Sequence, residues 1–327
     1  RHPTPPPMSA IVIEHVSRHY GKEPRPAVDD VSLTVEQGTF VTLVGPSGCG
    51  KTTLLKMINR LVEPTAGRIW VNGEDSAGVS PTELRRHIGY VIQQTGLFPH
   101  MLIEDNIGAV PRLLGWDSAR IDKRVDEMLA LIDLPIAYRK RYPRQLSGGE
   151  QQRVGVARAL AADPPIVLMD EPFGAIDAIN RVRLQDELLR IQTKLHKTIL
   201  FVTHDVEEAF KLGDRIVVMR EGRIVQAGAP LELATMPKDD FVRDLIGADD
   251  MVRRLGMLPV SAAPLQPLSS IPVSSTMPTI GQTNDLRAAL ALLLRSGAAA
   301  LIVVDAAGEP LGQLDFAGIR SVLGADV

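Results

Sequence analysis

The apolar positions of the chain fall into three textures. Val31, Leu33 and Val35 alternate with Ser32, Thr34 and Glu36, the period of a half-exposed strand in an antiparallel sheet. Ile11, Ile13 and Val16 open a shorter strand pattern ahead of it. Residues 40–44, 166–169 and 199–202 are instead continuous runs, apolar at every position but Thr42, which suit strands covered on both faces of a parallel sheet. The third texture is helical. Leu184, Leu188, Ile191 and Leu195 recur at helical spacing and share one face. Residues 118–131 carry a similar pattern, and 53–59 read as a helix directly after a glycine-rich loop. The alanine-rich stretch 155–162 reads as a helix that Pro164 and Pro165 prevent from continuing. Two hairpins are marked by their turns, Asn72-Gly73 after 68–71 and Glu221-Gly222 between 216–219 and 224–226.

Strands alternating with helices predict an α/β domain over residues 10–246. After Ile246 the texture changes. Residues 247–270 read as a linker, with Pro and Ser dense from Ser261 to Ser275. A small unit is expected over 271–327: strand 271–273, helix 286–294, strand 300–304, a turn at Ala307-Gly308, strand 310–314 and helix 316–323. The proline-rich residues 1–9 lack the apolar stretch of a signal peptide and are expected to be a disordered remnant. The most apolar later stretch, 288–304, is split by Arg295, Ser296 and Gly297 into pieces too short to span a membrane.

A length of 327 residues agrees with two domains. Lys plus Arg number 36 and Asp plus Glu 39, a formal net charge of −3, which argues against nucleic acid as the main partner. Cys49 is the only cysteine, so no internal disulfide is available and a reducing compartment such as the cytoplasm is expected.

Candidate chemistry sits where apolar runs end. Gly45-Pro46-Ser47-Gly48-Cys49-Gly50-Lys51-Thr52 follows the first buried run and precedes the helix that holds Thr53, the setting of a phosphate-binding loop. Glycines allow backbone N–H groups to converge on phosphate oxygens, and the helix adds its positive N-terminus. Lys51 is then expected on the β- and γ-phosphates and the Thr52 hydroxyl on Mg²⁺. Cys49 reads as a filler of the loop, a redox switch being the alternative. The second buried run ends in Asp170-Glu171, placing Asp170 for the Mg²⁺ shell and Glu171 to activate an attacking water.

With these residues the chain resembles the ATP-binding cassette (ABC) family. The resemblance is carried by Leu146-Ser147-Gly148-Gly149-Glu150, similar to that family's LSGGQ signature with Glu last, and it covers residues 10–246. It implies a P-loop core with antiparallel β and helical subdomains, the latter over about 95–160, and ATP with Mg²⁺ as ligands. It also implies roles for further residues. Tyr20 would stack on adenine, Gln93 would sense Mg²⁺ and a membrane partner, and His204 would contact the γ-phosphate. Asp177 would be the D-loop aspartate. Two cassettes of the family pair head to tail, so Ser147, Gly148 and Gly149 would act on ATP held by a second copy. The interval between Thr52 and Leu146 has room for a small helical subdomain but not for a long coiled coil, and no second phosphate loop follows as in the two-cassette translation-factor relatives, which leaves transport as the main branch.

Residues 90–101, with Asn106-Ile107 and Gly115-Trp116, resemble the ATPase subunits of quaternary-amine osmoprotectant importers. That implies integral-membrane permease subunits as partners, a solute-binding protein reached through them, and a peripheral location on the cytoplasmic face of the membrane. Phe98, Pro99 and Met101 would form a socket for the permease or, alternatively, belong to the core of the helical subdomain. Residues 271–323 resemble one CBS motif, a small α+β unit, carried by Ala300–Val304, Asp305, Gly308 and Gly312. It would be structural or regulatory. Rival readings are an importer ATPase for another small solute, a soluble ABC ATPase without a membrane partner, and a binding module with an inactive cassette.

Overall fold

The computed structural model describes residues 9–21, 24–93, 96–174, 176, 178–247, 255–268 and 277–322. Of the expected remnant 1–9, residues 1–8 lie outside the described residues, as do Asp177, the strand at 271–273 and the end of the last helix at Leu323, while Ser9 is instead the buried first residue of a strand. The chain divides into two compact units. One runs through His204 and takes back Val217–Val225, and the other holds the rest, so the division does not follow the expected boundary at Ile246.

The first unit opens with an antiparallel sheet. Strand β1 (Ser9–Arg18) pairs with β2 (Val28–Glu36) on one side and β4 (Ala66–Val71) on the other, and β5 (Glu74–Asp75) completes the hairpin. Along β2, Val31, Leu33 and Val35 are buried and Ser32 is exposed, as the alternation predicts. The turn between β4 and β5 puts Asn72 and Gly73 at φ 51° and 83°, the left-handed pair that a two-residue hairpin needs.

The apolar runs form the centre. Strands β3 (Phe40–Val44), β6 (Ile88–Val91), β7 (Ile166–Asp170), β8 (Thr198–Thr203), β9 (Arg215–Arg220) and β10 (Arg223–Gly228) make one sheet in the order β10-β9-β3-β8-β7-β6. The pairs β3–β8, β8–β7 and β7–β6 are parallel. Every residue of β3, β7 and β8 is buried, which explains the absence of alternation. Phe40, Phe201 and Phe173 stack through the layer with centroids 5.8 and 5.6 Å apart.

Helix α1 (Lys51–Ile58) follows β3, and α2 (Pro81–Arg86) leads into β6. Helices α3 (Ile103–Leu113), α4 (Ser118–Leu131) and α5 (Gly148–Ala161) pack on one another, with a 3₁₀ turn at Ile136–Lys140 between α4 and α5. Helix α5 starts earlier than the alanine-rich 155–162 suggested. Ser147 accepts from the Glu150 N–H and the Glu150 carboxylate accepts from the Ser147 N–H, a reciprocal cap that starts the helix at Gly148. Helix α6 (Ala178–Leu195) buries Leu188 and Ile191 of the predicted face.

The second unit holds α7 (Val206–Leu212), α8 (Pro230–Thr235) and α9 (Asp240–Ile246). It also holds a small sheet in the order β11-β12-β13: β11 (Thr279–Gly281), β12 (Ala300–Val304) and β13 (Pro310–Asp315), with helices Leu286–Ser296 and Phe316–Val322. The strand β11 is too short for a periodic signal and was not expected. The described part of the expected linker is packed rather than free. Leu255, Met257, Leu258 and Val260 are buried, and bridges Pro259–Asp285 and Gln266–Gln313 tie the stretch to this unit. Its Pro and Ser content hid four apolar anchors. Among the described residues no helix is long and apolar enough to cross a membrane.

Candidate functional site: the ends of four parallel strands

The order β3-β8-β7-β6 aligns four strand ends. Beyond Val44 lies the phosphate loop, beyond Thr203 lies His204, beyond Asp170 lies Glu171, and two residues beyond Val91 lies Gln93. A crevice at the carboxyl ends of parallel strands is where open α/β sheets gather ligand-binding groups.

The loop from Gly45 to Gly50 crosses from β3 to α1. Pro46, Ser47 and Gly48 are exposed at its crest, while Cys49 and Gly50 are buried. Gly50 has φ 104°, and a Cβ there would run into the Ala27 carbonyl, so this position requires glycine. Helix α1 has no side-chain cap on its N-terminal N–H groups and no acidic residue in its first turn. That leaves an open, electropositive helix end. Lys51 is buried, and its ammonium folds back over the loop, donating to the Gly45 and Pro46 carbonyls at 2.7 and 3.0 Å and lying 3.6 Å from Cys49 Sγ. Thr52 and Thr53 are half-buried on the first turn.

The Thr52 hydroxyl donates to Asp170 Oδ1 at 2.9 Å. Burial pushes the Asp170 carboxyl above its usual range, and the Glu171 charge adds to this. The Thr52 hydrogen bond, Lys56 and Lys51 oppose the rise. Tyr90 on β6 is also pushed up, to about 12, by burial and then by the Asp170 charge. Among the described residues no group of three or more His, Cys, Asp or Glu could hold a metal. One hydroxyl and one carboxylate suit Mg²⁺, which keeps waters and phosphate oxygens for its remaining positions.

Glu171 sits at φ 44°, a left-handed conformation that is strained for a residue with a Cβ. Its N–H donates to the Val202 carbonyl at 2.9 Å, which holds that turn against β8. Its Oε2 accepts from Gln93 Nε2 at 3.2 Å, and His204 Nδ1 lies 3.1 Å from the same oxygen. Three residues singled out separately in the sequence thus meet at one carboxylate oxygen.

Tyr20 stands at the end of β1 with the Arg18 guanidinium 4.7 Å from its ring centroid. Ser147, Gly148 and Gly149 are at the N-terminus of α5, with Ser147 and Gly149 lining a cleft of about 790 Å³ that also includes Arg153 and Arg183. A Cβ on Gly148 would meet nothing within 4 Å, and one on Gly149 would meet Ile176 Cγ2 only at 4.0 Å. Two tyrosines to which sequence reasoning gave no such role also stand beside these groups. Tyr90 flanks Asp170, and Tyr138 donates to Glu150 Oε1 at 3.2 Å. A lone tyrosine gives no sequence signal of such a role.

A profile of the ABC transporter family matches residues 28–174. The osmoprotectant import ATP-binding protein OsmV of Salmonella typhimurium is 48% identical over 320 residues, 96% of this chain and 81% of its own length. The chain belongs to the ABC transporter family. It is an ATP-hydrolysing cassette of that family. The glycine betaine/carnitine/choline transport ATP-binding protein OpuCA of Bacillus subtilis is 46% identical over 93% of this chain and 78% of its own length. Among solved structures, the dimeric bacterial ABC transporter cassette MJ0796 superposes with a TM-score of 0.62 at 33% identity, over 67% of this chain and 98% of the other.

Proposed function

We propose that the cassette powers an importer for a quaternary-ammonium osmoprotectant such as glycine betaine. The observation that carries this is likeness to importer subunits named for such solutes over nearly the whole chain, the C-terminal unit included. The strand–helix–strand–strand–helix order of that unit supports the CBS-like reading, in a structural or regulatory role.

ATP would lie on the loop from Gly45 to Thr53, with the open end of α1 facing its phosphates. Lys51 would exchange the loop carbonyls for β- and γ-phosphate oxygens. Thr52 and Asp170 would hold Mg²⁺, which neutralises phosphate charge when bound. Glu171 would take the proton of the attacking water, its carboxylate oriented by Gln93 and His204. Tyr20 would pack against adenine and Asp177 would serve at the interface of two cassettes.

The signature glycines support a homodimer. Glycine in a helix interior is about 1 kcal/mol worse than alanine and costs less at the first position, where Gly148 stands, yet nothing in this chain crowds Gly148. A second copy whose ATP approaches that backbone supplies the missing reason. The segment after Gln93, with Phe98 exposed, would dock on the permease at the cytoplasmic face of the membrane, and the permease would receive solute from an extracytoplasmic binding protein.

The test is ATP hydrolysis by the complex purified from membranes and supplied with its binding protein. Glycine betaine is expected to stimulate the rate. Stimulation by another small solute instead would overturn the cargo, and absence of any membrane complex would overturn the importer.

A further inference from the structure

The cap of α5 is not self-contained. Glu150 gives one carboxylate oxygen to the Ser147 N–H at 2.7 Å and the other to the Tyr138 hydroxyl at 3.2 Å. Burial alone would raise the Glu150 carboxyl. The Ser147 and Tyr138 hydrogen bonds and the Arg153 charge outweigh burial and hold it below its ordinary range. Tyr138 is itself held. It sits in the 3₁₀ turn Ile136–Lys140, its N–H donates to the Pro135 carbonyl at 2.9 Å, and the Arg141 guanidinium covers its ring at 3.7 Å.

The next residue ties this turn to the other helices. Arg139 donates to Glu104 on α3 at 2.9 Å and to Asp126 and Asp122 on α4 at 2.8 and 2.6 Å. Lys140 reaches the second oxygen of Glu104 at 2.6 Å, and the Ile103 N–H donates to the Arg141 carbonyl at 2.9 Å. The Arg139 and Glu104 side chains are only 18% and 15% exposed, so this is more than a solvated surface pair. Two residues along α3 from Glu104, the fully buried Asn106 accepts from the Phe98 N–H at 2.8 Å and donates to the carbonyls of Phe98, Met101 and Leu102. Polar contacts, the peptide link from Arg139 to Tyr138 and helix α3 therefore join the exposed Phe98 loop to the Ser147 N–H.

We propose that Tyr138 is a positioning residue for the signature, acting through Glu150, and that Arg139 links it to α3 and so to the Phe98 loop. Tyr138 touches no nucleotide in this scheme. It fixes the carboxylate that orients Ser147 and keeps the end of α5 formed before a second copy arrives. The inference rests on the reading that Ser147 closes over ATP held by another chain.

The experiment uses the full chain carrying Glu171→Gln to stop hydrolysis, with ATP-driven dimerisation followed by sedimentation. Tyr138→Phe removes one hydroxyl and is expected to weaken dimerisation about tenfold, the scale of one hydrogen bond to a charged group. ATP binding to the single chain stays unchanged. In a Glu150→Ala background the same Tyr138→Phe change is expected to have no further effect. Arg139→Lys keeps the charge but loses the three-way fork, and is expected to act in the same direction with a smaller loss. Equal dimerisation of Tyr138→Phe and its parent overturns the inference, and so does an undiminished loss in the Glu150→Ala background. If Glu171→Gln stays monomeric with ATP, the reading of the site as a dimer interface fails, and this inference with it.

Discussion

The chain contains two helix N-termini assigned to phosphate, and they are built in opposite ways. The first turn of α1 is left open: Gly50 gives no side-chain cap and the turn itself contains no acid. The first turn of α5 is closed by Ser147 and by the carboxylate of Glu150. An uncapped helix end with a lysine beside it attracts an anion unaided. At the capped end the Ser147 and Glu150 N–H groups are already bonded and a carboxylate stands beside them, so it would serve as a preformed surface that meets phosphate only when another body brings it. The open end would bind ATP within one chain, while the capped end would contribute only across a pair.

The sharpest way to break that contrast is at Glu171, the proposed base beside the open end. Glu171→Gln is expected to lower hydrolysis by about 10²- to 10⁴-fold, the usual contribution of a general base, while ATP still binds. A steady-state rate alongside a nucleotide-binding titration checks both halves. Next in size, Lys51→Ala is expected to weaken ATP binding to the single chain by about tenfold to a hundredfold, since it removes a charged donor from the phosphates. Ser147→Ala is expected to leave that binding constant untouched.

The capped end offers a sharper prediction because stability and activity should part. Gly148→Ala places a Cβ in open space at the first position of a helix, so it is expected to stabilise the folded chain slightly, by less than the ~1 kcal/mol of a helix interior. Hydrolysis should nevertheless fall, because the methyl would stand where the proposed partner's nucleotide approaches. Ser147→Ala is expected to lose about 1 kcal/mol from the missing cap. Thermal melts paired with rates separate the two variants.

The smallest effect is one of pH. The Glu150 carboxyl is held below its ordinary value of 4.5, so the folded state favours its charged form. Its contribution to stability is fully present above that value and is lost as pH falls through it toward the lowered one. Tyr138→Phe should shrink this loss, read as a smaller change in urea midpoint between about pH 6 and about pH 3.5.

Much of this was legible in the sequence where covalent order carries the information. The phosphate loop is written in eight consecutive residues, and the continuous runs, apolar but for Thr42, announced β3, β7 and β8 because burial on both faces removes alternation. The convergence of Gln93, Glu171 and His204 on one oxygen was not legible, since it depends on the order in which parallel strands lie side by side. The start of α5 was misplaced because Gly148-Gly149-Glu150-Gln151-Gln152 has almost no apolar periodicity. The Ser-x-x-Glu cap was the signal to follow there. In the stretch 255–268, Pro and Ser composition masked the apolar residues that hold it down.

The contrast between the two helix ends reduces to whether one chain suffices. The direct measurement is the rate of ATP hydrolysis per chain as the concentration of the purified protein is raised. The account predicts a rate per chain that climbs with concentration and levels off once pairs form, while ATP affinity of the single chain stays constant. A rate per chain that is the same at every concentration, down to the isolated monomer, would contradict it.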